Sequence, residues 1–282
     1  MRIIVNADDL GMSEDVNEAI FQGMSNGRIT SATALSNAPA TKAAAKESQF
    51  FSRCSFGVHL NLTEFEPLSE NSAGLAKILN GSRCFNGNAI REVKIDALFL
   101  AAVYREWCSQ IENLTRLGFT LSHLDSHHHV HTIPELLPVL AAIRRRYNIC
   151  KIRISRNLYE NRERPSSLLL QGKKLFNFAL RVLGFRTTRT FADFSTFIHL
   201  HSQHAIPCDS VELMTGSCLT RDETQLLQGS WRSGLGYKFI ATRNCSKRFK
   251  RRQTPAKRSA HSHDCEDSRV SEALVQLSHP SV

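Results

Sequence analysis

The segment Arg2-Ile3-Ile4-Val5-Asn6-Ala7-Asp8-Asp9-Leu10-Gly11 most constrains the fold, because it is a short apolar run that ends in two adjacent carboxylates and a glycine. Such a run reads as a strand buried on both faces, the condition of strands in a parallel sheet covered by helices. Acids at the carboxyl end of a parallel strand stand where open α/β sheets and β/α barrels carry their chemistry. Two neighbours there can divide the work, one carboxylate holding a cation while the other accepts a proton from water. Taken alone, the signature is shared with ordinary turns and helix caps, in which Asp and Gly are common. Amphipathic patterns over 15–26, 98–117 and 134–147 alternate with apolar runs and predict an α/β fold. In the last of these Thr132 is placed to cap, Glu135 enters the first turn, and Arg144, Arg145 and Arg146 meet the negative end of the helix dipole. The next strand is expected over 149–155, with Arg153 near its end either touching substrate or exposed. A length of 282 residues fits one main domain of the size of a single α/β barrel, and no fixed-period repeat is present.

A second feature is the run His123-Leu124-Asp125-Ser126-His127-His128-His129-Val130-His131, which gathers five of the chain's twelve histidines and a carboxylate into nine residues. Imidazole with carboxylate is the usual donor set for a hard or borderline catalytic dication. If the run is extended, His123, Asp125, His127, His129 and His131 share one side. One ion cannot take all of them. Ligands at i and i+2 at most are expected, with the others hydrogen-bonded to ligands or facing substrate. The bland alternative is a histidine-rich surface loop, against which the apolar flanks argue. A third run, Phe56-Gly57-Val58-His59-Leu60-Asn61-Leu62-Thr63, sets His59 in the middle of a strand-like pattern, where it is either a hydrogen-bonded core residue or a ligand.

In order and spacing, Asn6-Ala7-Asp8-Asp9-Leu10-Gly11, Gly57-Val58-His59-Leu60-Asn61-Leu62-Thr63 and the histidine run resemble the YdjC-like carbohydrate deacetylases. The likeness extends to strands at 29–35 and 211–214 and covers residues 1–242. It implies a distorted β/α barrel of mainly parallel strands and a metal-dependent hydrolase that removes acetyl groups from N-acetylated sugars or oligosaccharides, chitooligosaccharides among them. It also implies that Asp9, His59 and His127 are the metal ligands, with Mg²⁺ as the usual ion and another divalent metal such as Zn²⁺ as the alternative. Asp8 is then the general base. Asp125 is read as hydrogen-bonded to a ligating ring, with a solvent-facing role as the alternative. One departure matters: the family pattern continues from Glu-Leu-Met to a His-Pro pair whose histidine protonates the leaving amine, whereas here Met214-Thr215 runs into Gly216-Ser217-Cys218. Losing one acid–base step typically costs about 10²- to 10⁴-fold in rate. Two readings therefore stand, a deacetylase of reduced rate and a catalytically impaired carbohydrate-binding relative.

Net charge is +10, and the span 243–258 holds eight Lys or Arg and no acid, so the charge belongs to a tail. From residue 243 to 282 the chain loses apolar periodicity and reads as a disordered basic extension after a deacetylase domain at 1–242. Its Cys245, His261, His263 and Cys265 fit no zinc-finger spacing. A basic run attracts nucleic acid at low salt, yet a solvated tail is the simpler expectation. Eight scattered cysteines without Cys-x-x-Cys suggest reduced thiols. No signal segment and no apolar run of the ~18 residues that a membrane helix needs is present, so a cytoplasmic protein is expected, by default a homodimer. The segments 64–96 and 156–195 look less regular and are expected to form substrate-selecting loops, with Phe176 and Phe178 in the core.

Overall fold

In a computed structural model, β1 (Arg2–Leu10) runs through the middle of a sheet whose hydrogen-bonded order is β4-β3-β2-β1-β6-β5. Residues 1–69, 73–203, 206, 208–216 and 238–242 are described. The other strands are β2 (Ser31–Ala34), β3 (Ser55–Leu60), β4 (Leu121–Ser126), β5 (Thr190–Asp193), β6 (Ser210–Thr215) and β7 (Lys238–Phe239), and every pairing is parallel. β7 adds to the foot of β1 at Arg2 and Ile3. Ile3 and Val5 are fully buried, as a strand covered on both faces requires. This is the α/β arrangement of parallel strands that the sequence predicts. Among the described residues the sheet is not closed by a hydrogen-bonded seam. Single bridges, Leu124 to Ile152 and Lys151 to Arg186, continue the barrel direction beyond β4, so the strand expected over 149–155 is reduced to two paired residues.

The helices begin and end where local chemistry sets them. In α1 (Glu14–Ser25) Ser13 accepts the amide of Val16, with Glu14 and Asp15 in the first turn. α2 spans Thr41–Ser48 and α3 the short turn Ala89–Glu92. α4 (Ala97–Leu117) starts at Asp96, whose side chain accepts from Phe99 N at 2.8 Å, and stops at Gly118 in the left-handed region, φ 106°. Its fully buried Trp107 and Phe99 anchor it against the core. α5 (Leu137–Tyr147) starts later than expected, because a 3₁₀ turn at Pro134–Leu136 precedes it and the hydroxyl of Thr132 donates instead to His129 O at 2.8 Å. The three arginines do end this helix, before left-handed Asn148. The span 156–195 is more regular than expected, since it holds α6 (Ser167–Val182) and β5, followed by α7 (Phe194–Gln203). Phe176 is buried there, but Phe178 is exposed, contrary to the expectation for both. No helix among the described residues is long and apolar enough to cross a membrane. Ser217, Cys218 and the tail at 243–282 lie outside the described residues.

Candidate metal centre

Three strands deliver the site at their carboxyl ends. A shift of register between β1 and β2 falls between Ala7 and Leu10, so Asp8 and Asp9 occupy an irregular strand end. Asp9 takes φ 64°, a left-handed conformation that Asp tolerates better than most side chains. From β3 comes His59. β4 ends at Ser126, and the chain then coils into a 3₁₀ stretch, His127–Thr132, with His128 and His129 at φ 49° and 57°. The extended reading of the histidine run therefore fails after Ser126, and its five histidines separate into different environments.

Asp9 Oδ1 lies 2.7 Å from His127 Nδ1 and 3.1 Å from His59 Nε2. Ligand atoms of these three buried residues all lie within 4.8 Å of one another. Neither contact is a hydrogen bond, and Asp9 Oδ1 and His127 Nε2 are buried polar atoms without a hydrogen-bond partner. Buried polar atoms are normally satisfied, so two orphans in one cluster mark a place for something else. Burial raises the pKa of Asp9, but the nearby nitrogens of His127 and His59 outweigh it and keep the acid well below the usual carboxylate range.

His59 has a fixed orientation. Its Nδ1 is 2.7 Å from Asp125 Oδ1. Burial disfavours the charge of Asp125, yet Arg153 and His59 overcome it and hold this carboxylate ionised. An ionised carboxylate only accepts, so Nδ1 donates and Nε2 is the ring nitrogen that faces Asp9. Burial alone lowers the pKa of His59, whereas Asp125, Asp9 and Asp8 raise it to about 10. Without a metal, the surrounding carboxylates favour a proton on Nε2 as well, although its contact with Asp9 lacks hydrogen-bond geometry. The donor set of one carboxylate and two imidazoles with an outer carboxylate suits a divalent ion between Nε2 and Asp9.

Beneath this layer lies Arg153, fully buried and neither exposed nor free for substrate. Its Nη1 and Nη2 donate to Asp8 Oδ2 and Oδ1, both at 2.6 Å, its Nε donates to Glu212 Oε1 at 2.6 Å, and Nη2 is 2.8 Å from Asp125 Oδ2. One guanidinium thus joins three carboxylates from β1, β4 and β6. Its planar fork meets Asp8 with two parallel bonds, a geometry that Lys cannot reproduce. Asp8, His59 and Asp125 also cluster closely enough for an ion, but Arg153 already supplies the positive charge there. Burial raises the pKa of Asp8, more than Arg153 lowers it. Asn6 Nδ2 donates to Asp8 Oδ1 at 2.9 Å and to Thr33 Oγ1 at 3.1 Å, and Thr33 donates to Asp125 Oδ2 at 2.9 Å.

The remaining histidines are supports. His123 packs beside Ser122, Ser31 and Asn6, and burial lowers its pKa to about 4. A Cβ on Gly57 would come within 2.6 Å of its ring, which accounts for glycine in β3. His131 accepts from Ser126 Oγ at 2.5 Å and donates to Arg153 O at 3.2 Å; burial lowers it to about 4. His129 sits edge-on to Phe191, lowered to about 3 by burial and then by Arg153. Half-exposed Glu64 lies 3.5 Å from His127 Nε2, and His128 meets Thr63 Oγ1 at 3.0 Å.

The structure brings together all four residues singled out from the sequence, Asp8, Asp9, His59 and His127. Asp125 serves a ring as expected, although that ring is His59 and not the neighbouring His127. The parts of Arg153 and Glu212 were missed. Charged residues inside the apolar runs 149–154 and 211–214 were the available signal.

A family model described as YdjC-like protein matches residues 2–224. A carbohydrate deacetylase of Geobacillus stearothermophilus is 36% identical over 146 residues, 52% of this chain and 57% of that protein. One of Halalkalibacterium halodurans is 33% identical over 155 residues, 53% of this chain and 62% of that protein. The chain thus spans about three-fifths of the length of these curated relatives. Among solved structures, one from Enterococcus faecalis V583, provisionally named as a cellobiose-phosphate cleavage protein, superposes with a TM-score of 0.67 at 23% identity, covering 86% of this chain and 97% of that one. That likeness concerns the fold. The matched span 2–224 is most of the chain, and the chain belongs to the YdjC-like protein family.

Proposed function

We propose that this chain is a metal-dependent hydrolase that removes acetyl groups from N-acetylated sugars or oligosaccharides, working as a homodimer in the cytoplasm. The observation that carries the reading is the convergence of Asp9, His59 and His127 around orphaned buried atoms. The named relatives act, by their names, on carbohydrate acetyl groups, and that supports the substrate class. Among the described residues no cysteine is joined in a disulfide, which supports a reducing setting.

Asp9, His59 and His127 would hold the ion, Mg²⁺ or another divalent metal such as Zn²⁺. When bound it supplies a Lewis acid that polarises the acetamide carbonyl and acidifies water. Asp8 stands beside this triangle as the general base. Its doubly bonded pairing with Arg153 fixes where the carboxylate points, while burial keeps its proton affinity up, the two properties that a base needs. Asp125 holds His59 in the tautomer that presents Nε2. Acetate release from di-N-acetylchitobiose with added Mg²⁺, lost in Asp8→Asn, is the expected result.

A second reading rests on the run Met214-Thr215-Gly216 where the family pattern has His-Pro. In it the chain binds the acetylated sugar and turns it over very slowly, lacking a proton donor for the amine. Saturable sugar binding without acetate release favours it over the first. In both readings the domain is assigned to residues 1–242; the basic span 243–258 lies outside the described residues.

A further inference from the structure

His127 faces two ways. Its Nδ1 lies 2.7 Å from Asp9 Oδ1, on the inner side, and its Nε2 lies 3.5 Å from Glu64 Oε1, on the outer. The side chain is only 7% exposed and Nε2 has no hydrogen-bond partner, so a buried nitrogen is aimed at a carboxylate that it does not bond. The ring of His128 lies against that of His127 with centroids 4.0 Å apart, and one donor atom from each of Glu64, His127 and His128 lies within 4.8 Å of the others. Further contacts hold these groups from behind. Asn61 Oδ1 accepts the amides of Thr63 at 2.9 Å and Glu64 at 3.2 Å, and its Nδ2 donates to Glu64 O at 2.6 Å, which fixes the backbone of Glu64 without using its carboxylate. Thr63 Oγ1 donates to Asn61 Oδ1 at 3.2 Å and so accepts from His128 Nδ1 at 3.0 Å, which leaves the lone pair of that ring on Nε2. Among the described residues no Lys or Arg pairs with Glu64, in contrast to Asp8 and Asp125, whose charge Arg153 answers.

We propose that His127 Nε2, the Glu64 carboxylate and the His128 ring form a second divalent-cation site, selective for Zn²⁺ over Mg²⁺, that competes with the first for the lone pair of His127. Two imidazoles and one carboxylate with a side open to solvent are a zinc donor set, whereas Mg²⁺ takes oxygen donors and keeps its water. A neutral imidazole has a single ring-nitrogen lone pair to give. An inner ion that takes Nδ1 puts the ring proton on Nε2, pointing at Glu64. An outer ion takes Nε2 and puts the proton on Nδ1, pointing at Asp9. The exchange carries one proton through water from one nitrogen of the ring to the other and releases none. Both ions at once would need the ring to give up that proton to solvent and bridge them as imidazolate. Glu64 is half-exposed and His128 exposed, so ordering them costs side-chain entropy, and the outer site is the weaker of the two and fills when zinc is in excess. Zinc held there leaves only Asp9 and His59 to the inner ion, and so loosens it. The inference rests on the reading of Asp9, His59 and His127 as the inner metal centre and adds an inhibitory site beside it.

Calorimetric titration of the metal-stripped full chain with Zn²⁺ and with Mg²⁺ tests it, together with long-range ¹H–¹⁵N spectra of the imidazoles that show which nitrogen is bound. Asp9→Asn, which removes the inner charge and tolerates the same backbone, is expected to lose Mg²⁺ binding and to keep zinc at His127 Nε2. Adding Glu64→Gln or His128→Ala to it is expected to weaken that zinc at least ~10-fold. Comparison among variants cancels zinc taken up elsewhere, at the eight cysteines for instance. Zinc on Nδ1 of His127 at every concentration, or a zinc affinity of Asp9→Asn indifferent to both added substitutions, would overturn the proposal. If Asp9→Asn leaves Mg²⁺ affinity unchanged while Glu64→Gln still costs zinc, the inner reading falls and the outer site stands.

Discussion

Asp125 receives the Nδ1 proton of His59 at 2.7 Å and thereby fixes which nitrogen of that ring faces Asp9. Asp125→Asn reverses the polarity of this contact. An amide that donates to Nδ1 forces the ring proton onto Nε2, the atom proposed to ligate, and outer contacts of this sort are worth 10- to 100-fold in metal affinity. Competition with a chromophoric chelator should show a loss of about that size for Mn²⁺ or Zn²⁺, with the helical circular dichroism unchanged. Equal affinity in the two proteins would remove Asp125 from the account.

Arg153 is the counter-charge for Asp8, Asp125 and Glu212, and deleting it strands buried carboxylates. Breaking a buried ion pair by removing one partner typically costs about 3–5 kcal/mol. Arg153→Met should lower stability to urea by at least that much, and Arg153→Lys should recover only part of it, because a single ammonium cannot bond Asp8 twice and Glu212 as well. A double variant with Glu212→Gln should be less unstable than Arg153→Met alone. A loss under 1 kcal/mol in Arg153→Met would contradict the burial described for this network.

Much of this site was legible because short motifs carried it: the acids closing an apolar strand, the histidine inside a second and the cluster after a third. What strand periodicity could not convey was the coil at His127–Thr132, whose two left-handed histidines separate His129 and His131 from the Asp9, His59 and His127 cluster. Alternation holds only while the chain stays extended, and nothing in five nearly consecutive histidines marks where that stops. Arg153 escaped for another reason. A charged side chain in an apolar run is indistinguishable from an exposed one until its partners, here Asp8 and Glu212, are found on strands 145 and 59 residues away. The helix α6 was hidden in the same way, since apolar residues on both of its faces blur the amphipathic pattern by which helices are recognised.

Metal binding should release protons. In the metal-free protein the carboxylates around His59 raise its pKa from 6.5 to about 10, in spite of burial. Its charged form therefore adds stability that is fully present below pH 6.5 and is lost as pH rises through 10. An ion that takes Nε2 must displace that proton, so affinity should climb about tenfold per pH unit through neutrality and level off above pH 10. Calorimetric titration at pH 7 in buffers of different ionisation enthalpy should give apparent enthalpies that differ in proportion to about one proton. Identical enthalpies in every buffer would mean that Nε2 is bare before the ion arrives.

The loop that touches His127 and His128 is clamped from α4, and the clamp should set substrate affinity more than rate. Fully buried Glu106 accepts the backbone amides of Leu68 at 3.1 Å and Ser69 at 2.7 Å and the side-chain amide of Gln110 at 2.7 Å. Gln110 in turn bonds both backbone groups of Asn61, at 2.9 and 2.8 Å, and Asn61 Nδ2 donates to Glu64 O at 2.6 Å. Thr63 and Glu64, which stand against His128 and His127, hang on this relay. Glu106→Gln removes an acceptor and adds a donor among three donors, so at least one buried amide loses its bond, at a cost of about 1–3 kcal/mol. Hydrogen exchange at Leu68 and Ser69 should quicken at least tenfold while β1 and β3 stay protected, since a loop can open without the sheet. Because Asp9 and His59 sit on strands, His127 directly follows β4 and only the loop loosens, KM for the acetylated sugar should rise severalfold with kcat changed less than twofold; a fall in kcat at constant KM would instead tie the loop to the chemical step.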